Sequence, residues 1–288
     1  MNIRGLHLYN YMGAPAVALF VLTLLVLQWR FPLRVQHCSA MRRIARNFSF
    51  SIPTVLALRL VLVPIPLAVA WWAQEKQYGL LHWLPLPPLV AGVLGFLLMD
   101  YTYYVWHVLT HRLSLLWRLH LVHHTDLDMD VSTAARFHFL DVLLSALYRA
   151  PVVLLFGISP SAYLIFEIVF EACTQFHHSN WRLPLRLERT LNRVIVTPRM
   201  HGIHHSIVER ETNSNWGSIF CWWDALHHTL RRDVPQDALT IGLPAYRDEK
   251  ELTLGKLFTL PLRDLRPWQV PDGKAPEREP QPADAMAP

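Results

Sequence analysis

The amino-acid sequence predicts an all-α integral membrane protein: three spans, one helical hairpin and a histidine-rich helical cap, with four to five helices entering the bilayer. Three observations carry this. The 288 residues are 52% hydrophobic and 17% charged, against about 25% charged in an ordinary soluble domain, and mean hydropathy is +0.20. The apolar residues collect into runs on the scale of a hydrocarbon core of about 30 Å. Thirteen of the 16 histidines lie between His107 and His228, beyond the ends of those runs.

The first run, Ala14 to Trp29, is short for a span at about 1.5 Å per residue; Tyr11 and Met12 extend it. No small-residue cleavage site follows, so it reads as a retained span and not a signal peptide. Arg30, Arg34, Arg42, Arg43 and Arg46 come next. The second run, Ile52 to Trp72, contains Pro64 and Pro66, which predict a kink because proline lacks a backbone N–H. The third run goes from Pro88 to about Trp106 and leads into the first histidines.

Five arginines in the first loop outweigh the single Lys76 of the second. Basic residues stay on the cytoplasmic side, so the first loop and the end of the third span are expected there. Trp71, Trp72 and Trp83 suit the opposite interface, where aromatic rings collect.

Leu143 to Phe176 is long for one span and holds Pro151, Gly157 and Ser159-Pro160. Histidines flank it on both sides. If they meet at one site, both ends lie on one face, which predicts a helical hairpin over 143–176 that turns near Gly157–Pro160, spanning or re-entrant. From Arg182 the chain is amphipathic, then polar. Arg266 to Pro288 is rich in proline and charge without periodicity and is expected to be disordered. Three regions result: an N-terminal transmembrane region over 1–99, a histidine-bearing domain over 100–230 that includes the hairpin, and a cytoplasmic C-terminal segment over 231–288.

The net charge of +5 comes mostly from arginines flanking apolar runs. It reads as membrane orientation, and no basic–aromatic stripe points to a nucleic acid. Cys38, Cys173 and Cys221 are scattered and form neither a disulfide framework nor an Fe–S pattern.

The chemistry sits in the histidines. They read H-V-L-T-H (His107, His111), H-L-V-H-H (His120, His123, His124) and H-G-I-H-H (His201, His204, His205), with His177 and His178 between the last two. On a helix, residues three and four apart share a face. Two triads and a pair on three helices can therefore converge on metal, since neutral imidazole is a common ligand. Eight or more are too many for one tetrahedral zinc. Two ions in a nitrogen-rich site fit the count, and an all-imidazole shell suits iron. No H-E-x-x-H is present, against a zincin protease. A metal transporter places ligands near the bilayer midplane, whereas these follow the ends of spans. A di-zinc membrane hydrolase needs open positions, and so many imidazoles leave few.

D-Y-T-Y-Y-V-W-H-V-L-T-H, L-W-R-L-H-L-V-H-H, D-V-S-T-A-A-R-F-H, F-H-H-S-N and P-R-M-H-G-I-H-H together resemble the fatty acid hydroxylase/sterol desaturase superfamily, in its bacterial and alkylglycerol-monooxygenase-like branches. The resemblance runs from about Asp100 to Thr229. It implies a membrane-bound non-haem di-iron enzyme (two Fe) that uses O2 to hydroxylate or desaturate a lipid. By motif position it implies the ligands His107, His111, His120, His123, His124, His178, His201, His204 and His205. His138 occupies a position where a ligand or a partner of one is found, whereas His177 stands where a non-ligand is common and is kept as a secondary candidate. Asp224, in C-W-W-D-A-L-H-H-T, matches W-D-x-x-F-G-T, with His227 and His228 replacing Phe-Gly and expected to be interfacial.

Ligating imidazoles usually donate their other N–H to a carboxylate or carbonyl, and Asp100, Asp130 and Asp224 are candidates. Asn180 is a candidate to hold a water at the metals. Glu167 and Glu171 lie in the apolar hairpin, where a charge is costly and usually functional; Glu171 is a candidate to pair with Arg136 or to meet a ligand. No haem, dinucleotide or Fe–S motif is present, so electrons are expected from a separate ferredoxin or cytochrome b5-type donor with its reductase. The lipid would enter from the bilayer beneath a cytoplasmic cap, at the inner membrane of a bacterium or the endoplasmic reticulum of a eukaryote.

Overall fold

The structure is a computed structural model that describes residues 14–278. The expected extension of the first run to Tyr11 lies outside them. The described residues are helical, with isolated bridges and no sheet. The first run forms α1 (Ala14–Arg30). α2 (Ala40–Ala57) passes through a π-helical turn, Leu58–Leu62, into α3 (Pro64–Glu75). A short α4 (Leu80–Trp83) precedes α5 (Pro88–Arg112), which carries the third run and the first histidine pair on one unbroken helix. Three helical stretches are long and apolar enough to cross a membrane: Ala40–Trp83, Pro88–Arg112 and Phe139–Phe156. The chain is an integral membrane protein.

The prolines act where expected. Pro66 supplies no N–H to the carbonyl of Leu62, and the Tyr163 hydroxyl donates to that oxygen instead, at 2.8 Å. An unpaired carbonyl in an apolar surrounding costs several kcal/mol, so the π turn is held open by a side chain from another helix.

The hairpin is present as α7 (Phe139–Phe156) and α8 (Pro160–His178). Gly157 closes α7 with φ +66°, a left-handed cap that glycine adopts without strain. Ser159 caps α8, its hydroxyl accepting from Ala162 N at 3.2 Å, with Pro160 at the first helical position. The hairpin tip meets the loop after α3 so closely that a Cβ on Gly79 would lie 2.3 Å from Gly157 N. The tip therefore reaches the loop at the end of α3. Leu67, Met99, Val153, Ile158 and Phe166 form the core between α3, α5, α7 and α8.

At the other end, α5 stops at Arg112, Leu113 is extended, and α6 (Ser114–His124) begins at once. The loop after α6 is tied to α2 by a buried ionic network. Arg43 pairs with Asp126 at 3.2 Å and with Asp130. Asn47 donates to Asp126 at 2.7 Å and accepts from Arg136 at 2.9 Å. The first loop also pairs with the segment after α8, Leu33 N donating to Asn180 O at 2.8 Å. The first loop and the histidine cap thus share one end of the molecule, as the topology argument requires.

α9 (Leu185–Leu191), α10 (Pro198–His204), α11 (Glu209–Thr212), α12 (Trp222–Leu226) and α13 (Leu254–Thr259) complete the cap. The disorder expected from about residue 266 does not hold for 266–278. Trp268 stacks on Trp117 and donates to Ile207 O at 2.7 Å, and Arg278 pairs with the buried Glu211. Two half-buried anchors override a composition that lacks periodicity. Residues 279–288 lie outside the described residues.

Candidate metal centre

Four helices deliver nine imidazoles to two adjoining groups. The ligand-capable atoms of His107, His111, His120, His124 and His204 lie within 4.8 Å of one another, and so do those of His123, His178, His201 and His205. These are the nine residues singled out by motif position. The division between groups is not the division between motifs. α6 sends His120 and His124, four apart, to the first group and His123 to the second. α10 and its cap do the reverse, sending His201 and His205 to the second group and His204 to the first. α5 places His107 and His111 together, and α8 contributes His178, so four helices build the centre where three were expected.

Partners outside the groups orient the rings. The Nδ1 atoms of His107, His178 and His204 lie 2.8, 2.7 and 2.8 Å from the carbonyls of Trp216, Thr174 and Ser214. A carbonyl only accepts, so each Nδ1 carries the proton and each Nε2 keeps a lone pair. His120 Nδ1 lies 3.1 Å from the Asp141 carboxylate in the same manner.

The buried Nε2 atoms of His111, His120, His124 and His204 have no partner among the described residues, nor do Nδ1 of His123, His201 and His205. In the second group Nε2 of His178 faces Nε2 of His123 at 3.0 Å and of His201 at 2.9 Å. With its proton on Nδ1, His178 offers only a lone pair to both. Burial, reinforced by the neighbouring rings, pushes His123, His124, His201, His204 and His205 well below the ordinary imidazole range. Convergent nitrogens that are unpartnered in the first group, or face only one another in the second, are a donor set that fits metal cations.

The remaining candidates fall elsewhere. His138 is not a ligand or a partner of one: its Nδ1 caps α7 by accepting from Leu140 N at 3.3 Å, and Nε2 faces Phe258 O at 3.4 Å. His177 packs 4.0 Å from the His201 ring, between centroids, yet directs Nδ1 to Ser218 O at 3.1 Å and joins neither group. Asn180 is not free to hold a water, because its amide spans Arg34 N and Arg34 O at 2.9 and 2.8 Å.

The carboxylate candidates also touch no histidine. Asp130 serves Arg43 and Ser132, and Asp100 accepts from Trp223 Nε1 at 2.7 Å and Phe220 N at 3.2 Å. Asp224 accepts from Trp216 N and Gly217 N at 2.9 and 2.8 Å. It acts one residue removed, by fixing the loop whose Trp216 carbonyl holds His107. Glu171 does not pair with Arg136; it accepts from Gln175 at 2.8 Å, and Arg136 is spent on Asn47, Thr125 and Val122. His227 stacks on Tyr101 and Tyr104, away from the centre. Sequence reasoning missed Asp141 as the carboxylate partner. Its position in the first turn of a helix reads as ordinary dipole complementarity, and only the fold brings it to His120.

A cavity of about 240 Å³ abuts the first group. His107, Thr110, His120 and Asp141 lie at its histidine end, and Val55, Leu58 and Leu62 form an apolar wall.

A buried polyhistidine centre at one end of a membrane-embedded helical bundle defines the class of protein. Residues 92–229 match the fatty acid hydroxylase family model, and this stretch, which contains all nine histidines, is a fatty acid hydroxylase domain. It is 33% identical over 183 residues to ornithine lipid hydroxylase OlsE of Rhizobium tropici, covering 62% of this chain and 54% of that protein. It is 34% identical over 193 residues to alkylglycerol monooxygenase of Danio rerio, covering 66% and 41%. It is 26% identical over 176 residues to human cholesterol 25-hydroxylase, covering 59% and 62%. The matches thus span between two fifths and just under two thirds of these relatives. No solved structure matches.

Proposed function

We propose that this protein is a membrane lipid hydroxylase that inserts one oxygen atom of O2 into a substrate C–H bond. The observation that carries the reading is the pairing of two adjoining imidazole groups with a largely apolar cavity that reaches His107 and His120. The named relatives hydroxylate an ornithine lipid, an alkylglycerol and cholesterol, which favours hydroxylation over desaturation. The overall change is C–H plus O2, two electrons and two protons to C–OH plus water.

The two groups suit one iron each. Such a pair would supply the reduction of O2 and the oxidation of an unactivated C–H bond, chemistry that no side chain offers. The protein's own residues do the rest. The carbonyls of Trp216, Thr174 and Ser214, and the Asp141 carboxylate, keep protons on the outer ring nitrogens and lone pairs inward. The wall of Val55, Leu58 and Leu62 receives the hydrocarbon part of the lipid and excludes water. Electrons come from a separate ferredoxin or cytochrome b5-type donor with its reductase. The arginine-rich first loop shares the end of the molecule that holds the histidines, which supports a cytoplasmic site, in the inner membrane of a bacterium or the endoplasmic reticulum of a eukaryote.

The test is elemental mass spectrometry on anaerobically purified protein, followed by lipid oxidation under O2 with a reductase. Two irons per chain and O2-dependent hydroxylated product are expected. Zinc that iron cannot replace, with no O2 consumption on reduction, would move the reading to a hydrolase.

A further inference from the structure

The cavity beside His107 and His120 has two unlike walls. The wall from α2 and the π turn is mostly apolar, and its two hydroxyls, Ser51 and Thr54, already donate to the carbonyls of Phe48 and Phe137. The opposite wall, from the hairpin helices, carries Ser145, Arg149, Thr174 and Gln175. All four side chains belong to residues at most 6% exposed, and each holds a buried polar atom without a hydrogen-bond partner: Ser145 Oγ, Arg149 Nε, Thr174 Oγ1 and Gln175 Oε1. Leaving such an atom unpaired and away from water is unfavourable, because nothing replaces the hydrogen bond it loses to solvent. Four of them on one wall of one cavity describe a surface built to meet a polar ligand group.

Their chemistry selects the group. Gln175 spends its N–H on Glu171 at 2.8 Å, so its free oxygen needs a donor. The Ser145 and Thr174 hydroxyls can both donate and accept. An ether or ester oxygen only accepts and leaves Gln175 unsatisfied. An anionic head meets the Glu171 carboxylate, which also lines the cavity. A cationic head meets the Arg149 guanidinium and cannot accept from its Nε. A neutral hydroxyl group suits all of these partners.

Position follows from helix geometry. Ser145 is one turn along α7 from Asp141, the partner of His120, and Thr174 is one turn along α8 from His178. One turn is about 5.4 Å, the span of roughly four carbon–carbon bonds. We infer that the substrate is a lipid bearing one or more hydroxyl groups a few bonds from the carbon presented to His107 and His120, held by Ser145, Thr174 and Gln175. This rests on the oxygenase reading for the identity of the reacting carbon, but not for the hydroxyl site itself.

The experiment is equilibrium binding of radiolabelled C16 probes to the full-length, detergent-purified protein without reductant, so that no turnover occurs. The probes are hexadecane-1,2-diol, its dimethyl ether and hexadecane. The diol is expected to bind at least about tenfold more tightly than either of the others, the worth of one to two hydrogen bonds. The combined Ser145→Ala, Thr174→Val and Gln175→Leu variant should bring diol affinity down to that of the ether and leave hexadecane affinity within about twofold. Equal binding of diol and ether to the unmodified protein overturns the inference whether or not the variant folds. So does a folded variant that keeps the preference. Diol preference without any oxidised product on adding O2 and reductase would overturn the oxygenase reading alone. Oxidised lipid with no diol preference would overturn the hydroxyl site alone.

Discussion

The Asp141 carboxylate lies 3.1 Å from Nδ1 of His120, and both side chains are buried. Among the nine clustered imidazoles, His120 alone has a carboxylate partner within the described residues; His107, His178 and His204 use carbonyls. Outer partners of this kind raise ligand basicity and fix ring orientation, and their loss usually costs 10- to 100-fold in metal affinity. Asp141→Ala is expected to weaken metal retention by about that factor, measured by competition with a chelator. Asp141→Asn keeps an acceptor and should lose about tenfold or less.

His138 and His204 separate structure from ligation. His204→Ala should lose metal and lipid oxidation while still inserting into membranes. His138→Ala should keep full metal stoichiometry and lose about 1 kcal/mol of stability, the worth of a helix cap. His138→Asn should recover most of that loss. Elemental analysis beside thermal melting reads both effects, and metal loss in His138→Asn would reinstate that residue at the centre.

Acid should destabilise the metal-free protein. His123, His124, His201, His204 and His205 are held well below their ordinary value when folded, whereas in the unfolded chain they titrate near about 6.5. Below that pH the unfolded state binds more protons, so stability falls as pH falls. The melting temperature without metal is expected to drop steadily from pH 7.5 to 5.5. Bound metal competes with those protons, so the loaded protein should melt higher at each pH.

Arg43 is fully buried between Asp126 and Asp130. Arg43→Met leaves Asp130 without its cation and Asp126 with only the more distant Arg46, at 3.7 Å, and should cost about 3–5 kcal/mol. Adding Asp126→Asn and Asp130→Asn should restore part of the loss. Denaturation monitored by circular dichroism would show both, and an unchanged melting point in the single variant would remove Arg43 as the anchor of the loop after α6.

The second and third apolar runs, the hairpin and the clustering of the nine histidines were legible because each has a local signature: apolar length, a Gly–Pro turn, and spacings of three and four. The allocation of histidines to groups was not legible. In H-L-V-H-H and H-G-I-H-H the spacing is identical, yet α6 and α10 approach from different sides and the same pattern divides in opposite senses. Partners of the clustered imidazoles were the least readable. The sequence offers many aspartates, and the one that reaches an imidazole does so through packing of α7 beside α6. Three of the partners are carbonyls, which any residue could supply. His138 shows the converse, a motif position whose ring serves as a helix cap. Around Arg266 the composition misled, because two anchors, Trp268 and Arg278, suffice to fix a segment with no periodic face.

The crossed allocation of the two triads has a consequence for assembly. α6 and α10 each contribute to both imidazole groups, so neither group can be organised without positioning most of the other. An ion captured by one would already have settled the backbone that its neighbour requires. Uptake should then be cooperative, with empty and doubly loaded chains dominating a titration and singly loaded chains scarce.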